Sequence, residues 1–490
     1  MSVVPVPEIT LTCSQVSQAI GGCYQIPAGG EVVISGICTD SRLTKSGHLL
    51  FCLQGENFDG HDFIRQAISS GAVAVVVTES SVNLKLLISS YPNVCFFPVV
   101  DTLRALGDLA AWWLKQLNPR VIAVTGSNGK TTTREMISSV LSRKWKVHCN
   151  RGNLNNLIGV PLTIFEVKVH HQIVVLEMGM NCPGELARLA EISRPHVVIL
   201  TNVAVAHLEG LGSLDEVVRA KSEIFSGLRD EGYIVYNADD RRLAELVSRA
   251  VERNQTWELV PVSLDSGSDS GLRVDNIVTV ADGMRFVLKT VGRAKAMSPD
   301  VPVALPLWGR HNVMNALLAA TVGWREGLPL EEISYGFYNV SLPAGRLSAH
   351  VLASGRVVID DSYNANPASM EASLHTLNEI CAGRYRVAIL GDMFELGEAS
   401  ERLHVEVGTA VALIQPDLLI TYGARSLALA RSSIAGGMPE TAVISFIPGE
   451  EDDLLHALYE RLVAEHVILV KGSRGMGMEK LVECLIKVEG

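Results

Sequence analysis

A short apolar stretch followed by a glycine-rich turn, at residues 121–133, constrains the fold more than any other feature of this sequence. Residues 121–124 have the composition of a buried strand, and residues 126–129 carry no bulky side chain. Lys130 and three threonines then open a segment whose apolar residues recur on one helical face. A strand, a glycine loop and a helix together aim backbone N–H groups and a helix N-terminus at an anion. The stretch therefore predicts a phosphate-binding loop.

The residue types in this loop suit a nucleotide with a bound metal ion. Gly126 and Gly129 allow the backbone to approach phosphate oxygens closely. Lys130 can neutralise the β- and γ-phosphates, and the Thr131 hydroxyl can ligate Mg²⁺. The usual pattern requires glycine at position 124, where this sequence has Val124, so the loop is shorter than usual. The alternative is an ordinary strand-to-helix turn with a solvated lysine, but two glycines and Lys-Thr-Thr after an apolar strand favour nucleotide binding.

Composition bounds the class of protein. A chain of 490 residues with 48% hydrophobic residues suggests about three domains with sizeable cores. The net charge of −11 argues against nucleic acid or an anionic membrane surface as the main partner. The nine cysteines are dispersed and form no Cys-x-x-Cys pair, which indicates reduced thiols in a cytoplasmic enzyme.

Two further expectations concern membranes and secretion. The N-terminal residues lack a basic region and a long apolar core, so we do not expect a signal peptide. The sequence contains no run approaching the ~18 apolar residues that a membrane span requires. We therefore expect no membrane insertion.

The order of apolar and polar segments predicts an α/β chain of three domains, at 1–117, 118–342 and 343–490. In the first, residues 48–53, 72–78 and 94–100 are predicted strands, and residues 61–70 and 102–117 are predicted helices. In the second, strands at 121–125, 146–150, 172–178, 196–203 and 233–237 alternate with helices, which predicts a mainly parallel sheet. A hairpin signal around residues 282–283 predicts an antiparallel excursion, and residues 311–320 a further helix. In the third, five strand–helix units predict a Rossmann-like domain with its ligand at the strand C-terminal ends.

Three residues outside the loop could take part in the chemistry. Glu177 ends an apolar strand, where a Mg²⁺ ligand belongs, although a surface glutamate is the alternative. His207 follows another strand of the same predicted sheet, and a structural histidine and a ligand are equally plausible there. Lys221 lies on a predicted helix and has, by itself, no feature that separates it from a surface lysine.

Taken together, the polar segments of the chain resemble those of the Mur ligase family. The resemblance rests on residues 39–42, 55–61, 125–132, 153–161, 177–181, 206–209, 220–221, 311–316, 345–346, 360–367, 390–393 and 471–474. It spans nearly the whole chain, and the serine-rich loop at 263–271 looks like a private insertion.

The resemblance implies an ATP- and Mg²⁺-dependent ligase that forms an amide bond through an acyl phosphate. The implied ATP site consists of Gly126, Ser127, Asn128, Gly129, Lys130, Thr131, Thr132, Asn312, Asn315, Arg346 and Asp361. The implied Mg²⁺ ligands are Thr131, Glu177, His207 and a carbamylated Lys221. Lys130, Glu177, His207 and Lys221 would be the catalytic residues.

Within the family, segments 363–367 and 391–393 favour the member that adds D-alanyl-D-alanine to UDP-N-acetylmuramoyl-tripeptide in peptidoglycan precursor synthesis. The first domain would hold the UDP group. The implied substrate contacts are Ser41, Arg42, Asn153, Asn155, Asn156, Tyr363 and Asn364. We expect a monomeric cytoplasmic enzyme with these two substrates and no nucleic-acid partner.

Two other functions remain open at this point. A folylpolyglutamate-synthase-like ligase would share the phosphate loop and the amide chemistry, but it gives no reason for segments 39–42 and 55–61. A phosphate-loop switch protein would use ATP only to change conformation, and would leave the polar loops of three domains without a role. Phosphate release that depends on D-alanyl-D-alanine or on glutamate would separate the two ligases.

Overall fold

The computed structural model describes residues 6–21, 30–55, 57–205, 208–265, 271–291, 299–381, 383–461 and 466–487. Within these ranges the strands form four sheets, and helices connect most of the parallel strands. The α/β class predicted from the sequence is confirmed. The helices in these ranges include no candidate membrane span.

The first sheet has the strand order β1-β2-β3-β4-β5. Its strands are β1 Glu8–Thr12, β2 Val33–Cys38, β3 His48–Phe51, β4 Ala74–Thr78 and β5 Cys95–Val99, with α1 Cys13–Ile20, α2 Ile64–Ser69, α3 Leu84–Ser90 and α4 Thr102–Leu117. Strands β2 to β5 are parallel, and β1 pairs antiparallel with β2. The side chain of Asp101 caps the first turn of α4, and Asn118 ends that helix in a left-handed conformation directly before a proline.

The second sheet is parallel throughout, in the order β11-β10-β9-β6-β8-β7. Its strands are β6 Arg120–Thr125, β7 Val147–Cys149, β8 Ile173–Glu177, β9 Val197–Leu200, β10 Tyr233–Asn237 and β11 Glu258–Val262. Its helices are α5 Lys130–Leu141, α6 Gly159–Phe165, α7 Glu185–Ser193, α8 Leu208–Leu211, α9 Leu214–Ser222 and α10 Arg241–Arg253. The strand order reverses direction at β6, and such a switch point opens a crevice at the strand C-termini.

A small antiparallel sheet forms the excursion that the hairpin signal predicted. Its strands are β12 Leu272–Val280, β13 Gly283–Thr290 and β14 Val301–Leu305. It is separate from the second sheet. It packs around one hydrophobic core with α5 and two further helices, α11 Arg310–Arg325 and α12 Leu330–Tyr338. Residues 266–270 of the serine-rich loop lie outside the described residues.

The last sheet has the order β15-β16-β20-β17-β18-β19. Its strands are β15 Ser348–Val351, β16 Val357–Asp361, β17 Arg386–Gly391, β18 Leu418–Tyr422, β19 Val443–Phe446 and β20 Val467–Lys471. Its helices are α13 Pro367–Ile380, α14 Ser400–Ile414, α15 Ser426–Ala435, α16 Glu451–Tyr459 and α17 Glu479–Lys487. The five predicted strands are parallel, and the structure adds β15 as an antiparallel edge strand.

The hydrophobic cores show which sheets belong together. One continuous core runs from the first sheet through α4 into one face of the second sheet. Polar contacts reinforce this boundary: Arg188 on α7 bonds Asp108 at 2.5 Å, and Trp113 Nε1 donates to Val167 O at 3.2 Å. The last sheet has its own two cores, with Val205 as the second-domain residue packed against one of them. The domain limits proposed from the sequence, at 117/118 and 342/343, stay a prediction.

Candidate active site

The phosphate loop follows β6 and leads directly into α5, as the sequence predicted. Its two glycines are required by their surroundings. A Cβ on Gly126 would lie 1.9 Å from Thr201 Oγ1, and one on Gly129, which has φ 77°, would lie 2.7 Å from Asn315 Oδ1. Both positions therefore exclude any larger residue in this conformation.

The loop following β9 holds the phosphate loop in shape. Thr201 Oγ1 donates to Asn128 O at 2.6 Å, and the Asn202 side chain accepts from Asn128 N at 2.9 Å. Lys130 Nζ donates to Gly126 O at 2.8 Å and Ser127 O at 3.0 Å. Burial lowers the pKa of Lys130, while the neighbouring Glu177 carboxylate opposes that change. The lysine thus lies inside the concave face of the loop that would receive phosphates.

Glu177, at the end of β8, is buried, with only 2% of its side chain exposed, so the surface alternative is wrong. Thr131 Oγ1 donates to its Oε2 at 2.8 Å, Arg134 Nη1 donates to the same oxygen at 3.1 Å, and Asn155 Nδ2 donates to Oε1 at 2.8 Å. The Thr131 hydroxyl and the carboxylate are adjacent hard oxygen donors, the set that Mg²⁺ completes with phosphate oxygens and water. These residues therefore fit the ion.

Two other predicted metal ligands have different outcomes. His207 lies outside the described residues. Lys221, on α9, is 2% exposed, so the alternative of a surface lysine is wrong. Burial, together with the charge of Lys130, holds the pKa of Lys221 well below its usual range. Across the described ranges, no three His, Cys, Asp or Glu side chains converge as a metal site.

The third domain brings a second set of charged residues to the site. Asp361 ends β16 and accepts hydrogen bonds from Lys471 Nζ at 2.5 Å and Ser373 Oγ at 2.6 Å. The Arg346 guanidinium stacks on the Tyr363 ring, 4.0 Å from its centroid. The ion pair and the stacked arginine give this face fixed charges of both signs.

The two domains enclose a cavity of about 870 Å³. The predicted site residues that line it are Ser127, Asn128, Gly129, Lys130, Thr131, Thr132, Asn153, Asn155, Asn156, Glu177, Asn312, Asn315, Arg346, Asp361, Tyr363 and Asn364. Across it, Asn366 Nδ2 donates to Asn128 Oδ1 at 2.7 Å, and Asn128 Nδ2 donates back at 3.3 Å. On α11, Asn315 Nδ2 donates to Asn312 Oδ1 at 3.1 Å. The structure therefore gathers residues from distant parts of the sequence.

Ser41 and Arg42 do not line this cavity. They follow β2 in the first domain, where the Arg42 guanidinium lowers the pKa of Asp40 through hydrogen bonds. At the ends of the neighbouring strands, Thr78 N donates to His61 Nε2 at 2.9 Å, and His61 Nδ1 lies 2.5 Å from Asp59. The polar segments of the first domain thus form their own rim at the carboxyl edge of its parallel strands.

Sequence reasoning missed several residues that hold this site together. Arg134, Asn150 and Asn202 contact Glu177 or the phosphate loop directly. A signal existed for Arg134, which shares the apolar helical face of Ile137 and Leu141, where a charge is unusual. The two asparagines lie in irregular loops, where sequence periodicity carries no information about contacts.

The chain thus combines a parallel nucleotide-binding domain with a Rossmann-like domain. The phosphate loop of the one faces charged residues of the other across a single cavity, which is the arrangement of an ATP-dependent ligase. Three domain families match the chain: "Mur ligase family, catalytic domain" at 33–113, "Mur ligase middle domain" at 124–323 and "Mur ligase, glutamate ligase domain" at 345–474. The chain belongs to the Mur ligase family, and the three-domain architecture predicted from the sequence is confirmed.

Its relatives include proteins of known name and structure. The chain is 37% identical to UDP-N-acetylmuramoyl-tripeptide–D-alanyl-D-alanine ligase of Escherichia coli (strain K12), over 97% of this chain and 98% of that protein. A crystal structure of MurF from Acinetobacter baumannii has a TM-score of 0.85 at 32% identity, covering 98% of this chain and all of that one. MurF ligase from Thermotoga maritima in complex with ADP has a TM-score of 0.79 at 25% identity, covering 92% and 97%.

Proposed function

We propose that this chain joins D-alanyl-D-alanine to the terminal carboxylate of UDP-N-acetylmuramoyl-tripeptide, converting ATP to ADP and phosphate. The cavity carries the proposal, because it sets the phosphate loop and Glu177 opposite Asp361, Lys471 and Tyr363 of the third domain. Relatives that span nearly the whole chain bear the name of this reaction. The product would be the UDP-linked pentapeptide of peptidoglycan precursor synthesis.

The chemistry requires activation of a poor electrophile. A carboxylate resists attack by an amine, so its oxygen first takes the γ-phosphoryl group, and the bond to the leaving ADP breaks. The dipeptide nitrogen then forms the new C–N bond and gives up a proton, and phosphate leaves with the electrons of the C–O bond. Lys130 and the loop amides would hold the phosphates and offset the charge that builds up during transfer.

Thr131 and Glu177 would hold Mg²⁺, and the position of His207 in sequence makes it a further proposed ligand. When bound, the ion supplies positive charge beside the transferring phosphoryl group. Asn312, Asn315, Arg346 and Asp361 are our proposed contacts to the nucleotide from α11 and the third domain.

Lys221 is our proposed carbamylated residue. Only a neutral amine can attack CO₂, and the low pKa of this buried lysine keeps that form populated. The neutral amine forms an N–C bond to CO₂ and releases one proton, so anionic oxygens take the place of an uncharged amine. Such oxygens suit the neighbourhood of Lys130 and a divalent cation.

We also propose that the third domain closes over the bound nucleotide and excludes water from the acyl phosphate. Separate hydrophobic cores and the polar Asn128–Asn366 contact support relative motion of this domain. Small-angle scattering should show a more compact particle when nucleotide and acceptor are both present. Equal compactness with and without them would contradict closure.

The first domain would bind the UDP group through Ser41 and Arg42. Asn153, Asn155 and Asn156 would hold the acceptor peptide, and Tyr363 and Asn364 the dipeptide. We further propose that the enzyme acts as a monomer in the cytoplasm, which light scattering of the purified chain and fractionation of cells can test.

One assay tests the function directly: ADP formation by the purified chain with UDP-muramoyl peptides that differ in their third residue, and with D-alanyl-D-alanine or glutamate. We expect ADP release only with D-alanyl-D-alanine, together with a UDP-pentapeptide product seen by mass spectrometry. Release with glutamate would favour the folylpolyglutamate-type ligase, and nucleotide turnover without a covalent product would favour a switch protein.

A further inference from the structure

Arg134 is a fully buried arginine next to the phosphate loop. It lies one turn into α5, and none of its side chain is exposed. A buried guanidinium is unfavourable unless its charge is paired and its N–H groups are bonded. Arg134 therefore needs a role in the interior of the site.

The contacts of Arg134 join two parts of the site. Its Nη1 donates to Glu177 Oε2 at 3.1 Å and to Gly152 O at 3.2 Å. Its Nη2 pairs with Glu135, the next residue along the helix, whose side chain is 23% exposed. One side chain thus bridges the Glu177 carboxylate and the loop at residues 150–156.

Two asparagines of the same loop also form hydrogen bonds with Glu177. Asn150 Oδ1 accepts from Glu177 N at 2.6 Å, and Asn150 Nδ2 donates to Leu154 O at 2.6 Å. Asn155 Nδ2 donates to Glu177 Oε1, and Asn155 O accepts from Gly179 N at 2.8 Å. The carboxylate and the loop therefore share one hydrogen-bonded unit, and Arg134 ties that unit to α5.

We propose that Arg134 is a positioning residue that sets the Glu177 carboxylate and loop 150–156 at a fixed distance from each other and from the phosphate loop. The proposal rests on the proposed function, in which Glu177 serves the nucleotide side and the loop asparagines serve the acceptor side. Arg134 would align the acceptor carboxylate with the phosphoryl group without touching either substrate.

An arginine is suited to this task and a lysine is not. Both bridging bonds come from Nη1, whose two N–H groups are held at fixed directions in the guanidinium plane. An ammonium on a flexible stem carries the same charge and lacks that geometry. Arg134→Lys therefore preserves charge and removes the bridge, while Glu135→Gln removes the outer ion pair and preserves the bridge.

The experiment compares these two variants with the wild-type chain. Calorimetry measures binding of UDP-N-acetylmuramoyl-tripeptide without nucleotide, and steady-state assays measure KM, kcat and the Mg²⁺ concentration for half-maximal rate. For Arg134→Lys we expect acceptor affinity to fall and the Mg²⁺ requirement to rise by about tenfold or more, as for other residues that orient metal ligands. Glu135→Gln should stay within about twofold of wild type, since its amide oxygen can still accept from Nη2 and Arg134 keeps its bonds to Glu177 and Gly152.

Equal constants for Arg134→Lys and Glu135→Gln would overturn the proposal. A fall in kcat with unchanged acceptor affinity and Mg²⁺ requirement would also overturn it, since that is the result of a purely structural role. If Arg134→Lys does not fold, Arg134→Gln is measured against the same limits. A wild-type chain that does not ligate would instead remove the proposed function.

Discussion

The shared core of the first and second domains predicts that they unfold together while the third domain unfolds separately. Leu106 on α4 is fully buried in the shared core, and Leu374 on α13 is fully buried in the third-domain core. Truncating a buried leucine to alanine costs about 3 kcal/mol, roughly a 150-fold change in an unfolding equilibrium. Leu106→Ala and Leu374→Ala are therefore a matched pair of perturbations placed on opposite sides of the domain boundary.

Native-state hydrogen exchange, read by mass spectrometry, measures the effect strand by strand. With Leu106→Ala, the slowest amides of β2–β5 and of β6, β8 and β9 should all exchange faster by the same factor, roughly 150-fold. Those of β16–β20 should keep their wild-type rates. Leu374→Ala should give the converse pattern.

A different outcome for Leu106→Ala would refute this reasoning. If faster exchange were confined to β2–β5, the first domain would open alone, and the continuous apolar packing through α4 would not couple it to the second. If β16–β20 were equally affected, the whole chain would be one cooperative unit despite its separate cores.

Three further predictions concern the site and its stability. Lys221→Ala should reduce ligation roughly 100-fold while the fold persists, and full activity without an added carboxylate would exclude the carbamate. Asn366→Asp keeps a helix cap, loses the donor to Asn128 and places a negative charge beside the phosphate loop, so a cost of about 1 kcal/mol to nucleotide binding should raise the KM for ATP about fivefold in steady-state assays. Burial lowers the pKa of His196 from 6.5 to about 4, so the unfolded chain binds more protons between these values and stability falls as pH drops through them. His196→Gln can still accept a hydrogen bond from Val121 N. Its free energy of unfolding, measured in urea, should fall less between pH 6.5 and about 4 than that of the wild-type chain. An equal fall would contradict this prediction.

Much of the fold could be predicted from the sequence because the local signals agree with the final structure. Helix α4 was predicted to the residue, and the Asp101 cap marks its start. Asn366 with a proline gives α13 an equally clear start signal. Five strands were not predicted, because runs of four to six residues give too little periodicity by themselves: β1, β2, β11, β14 and β15.

The candidate site shows where such reasoning ends. The phosphate loop and Glu177 could be found from strand–loop–helix order alone. The burial of Lys221 and the bridge from Arg134 could not, because each depends on residues more than 15 positions away in sequence that meet only in the folded chain. Their roles as site residues stay predictions until the variants above are measured.

The contrast between the continuous apolar boundary of the first two domains and the polar contact of the third bears on inhibition. A compound that binds beside Asn128 and Asn366 competes with a few hydrogen bonds that water can replace. A compound directed at α4 must instead disrupt continuous apolar packing. Small molecules that hold the cavity between the second and third domains open should therefore be easier to find than compounds that separate the first two domains.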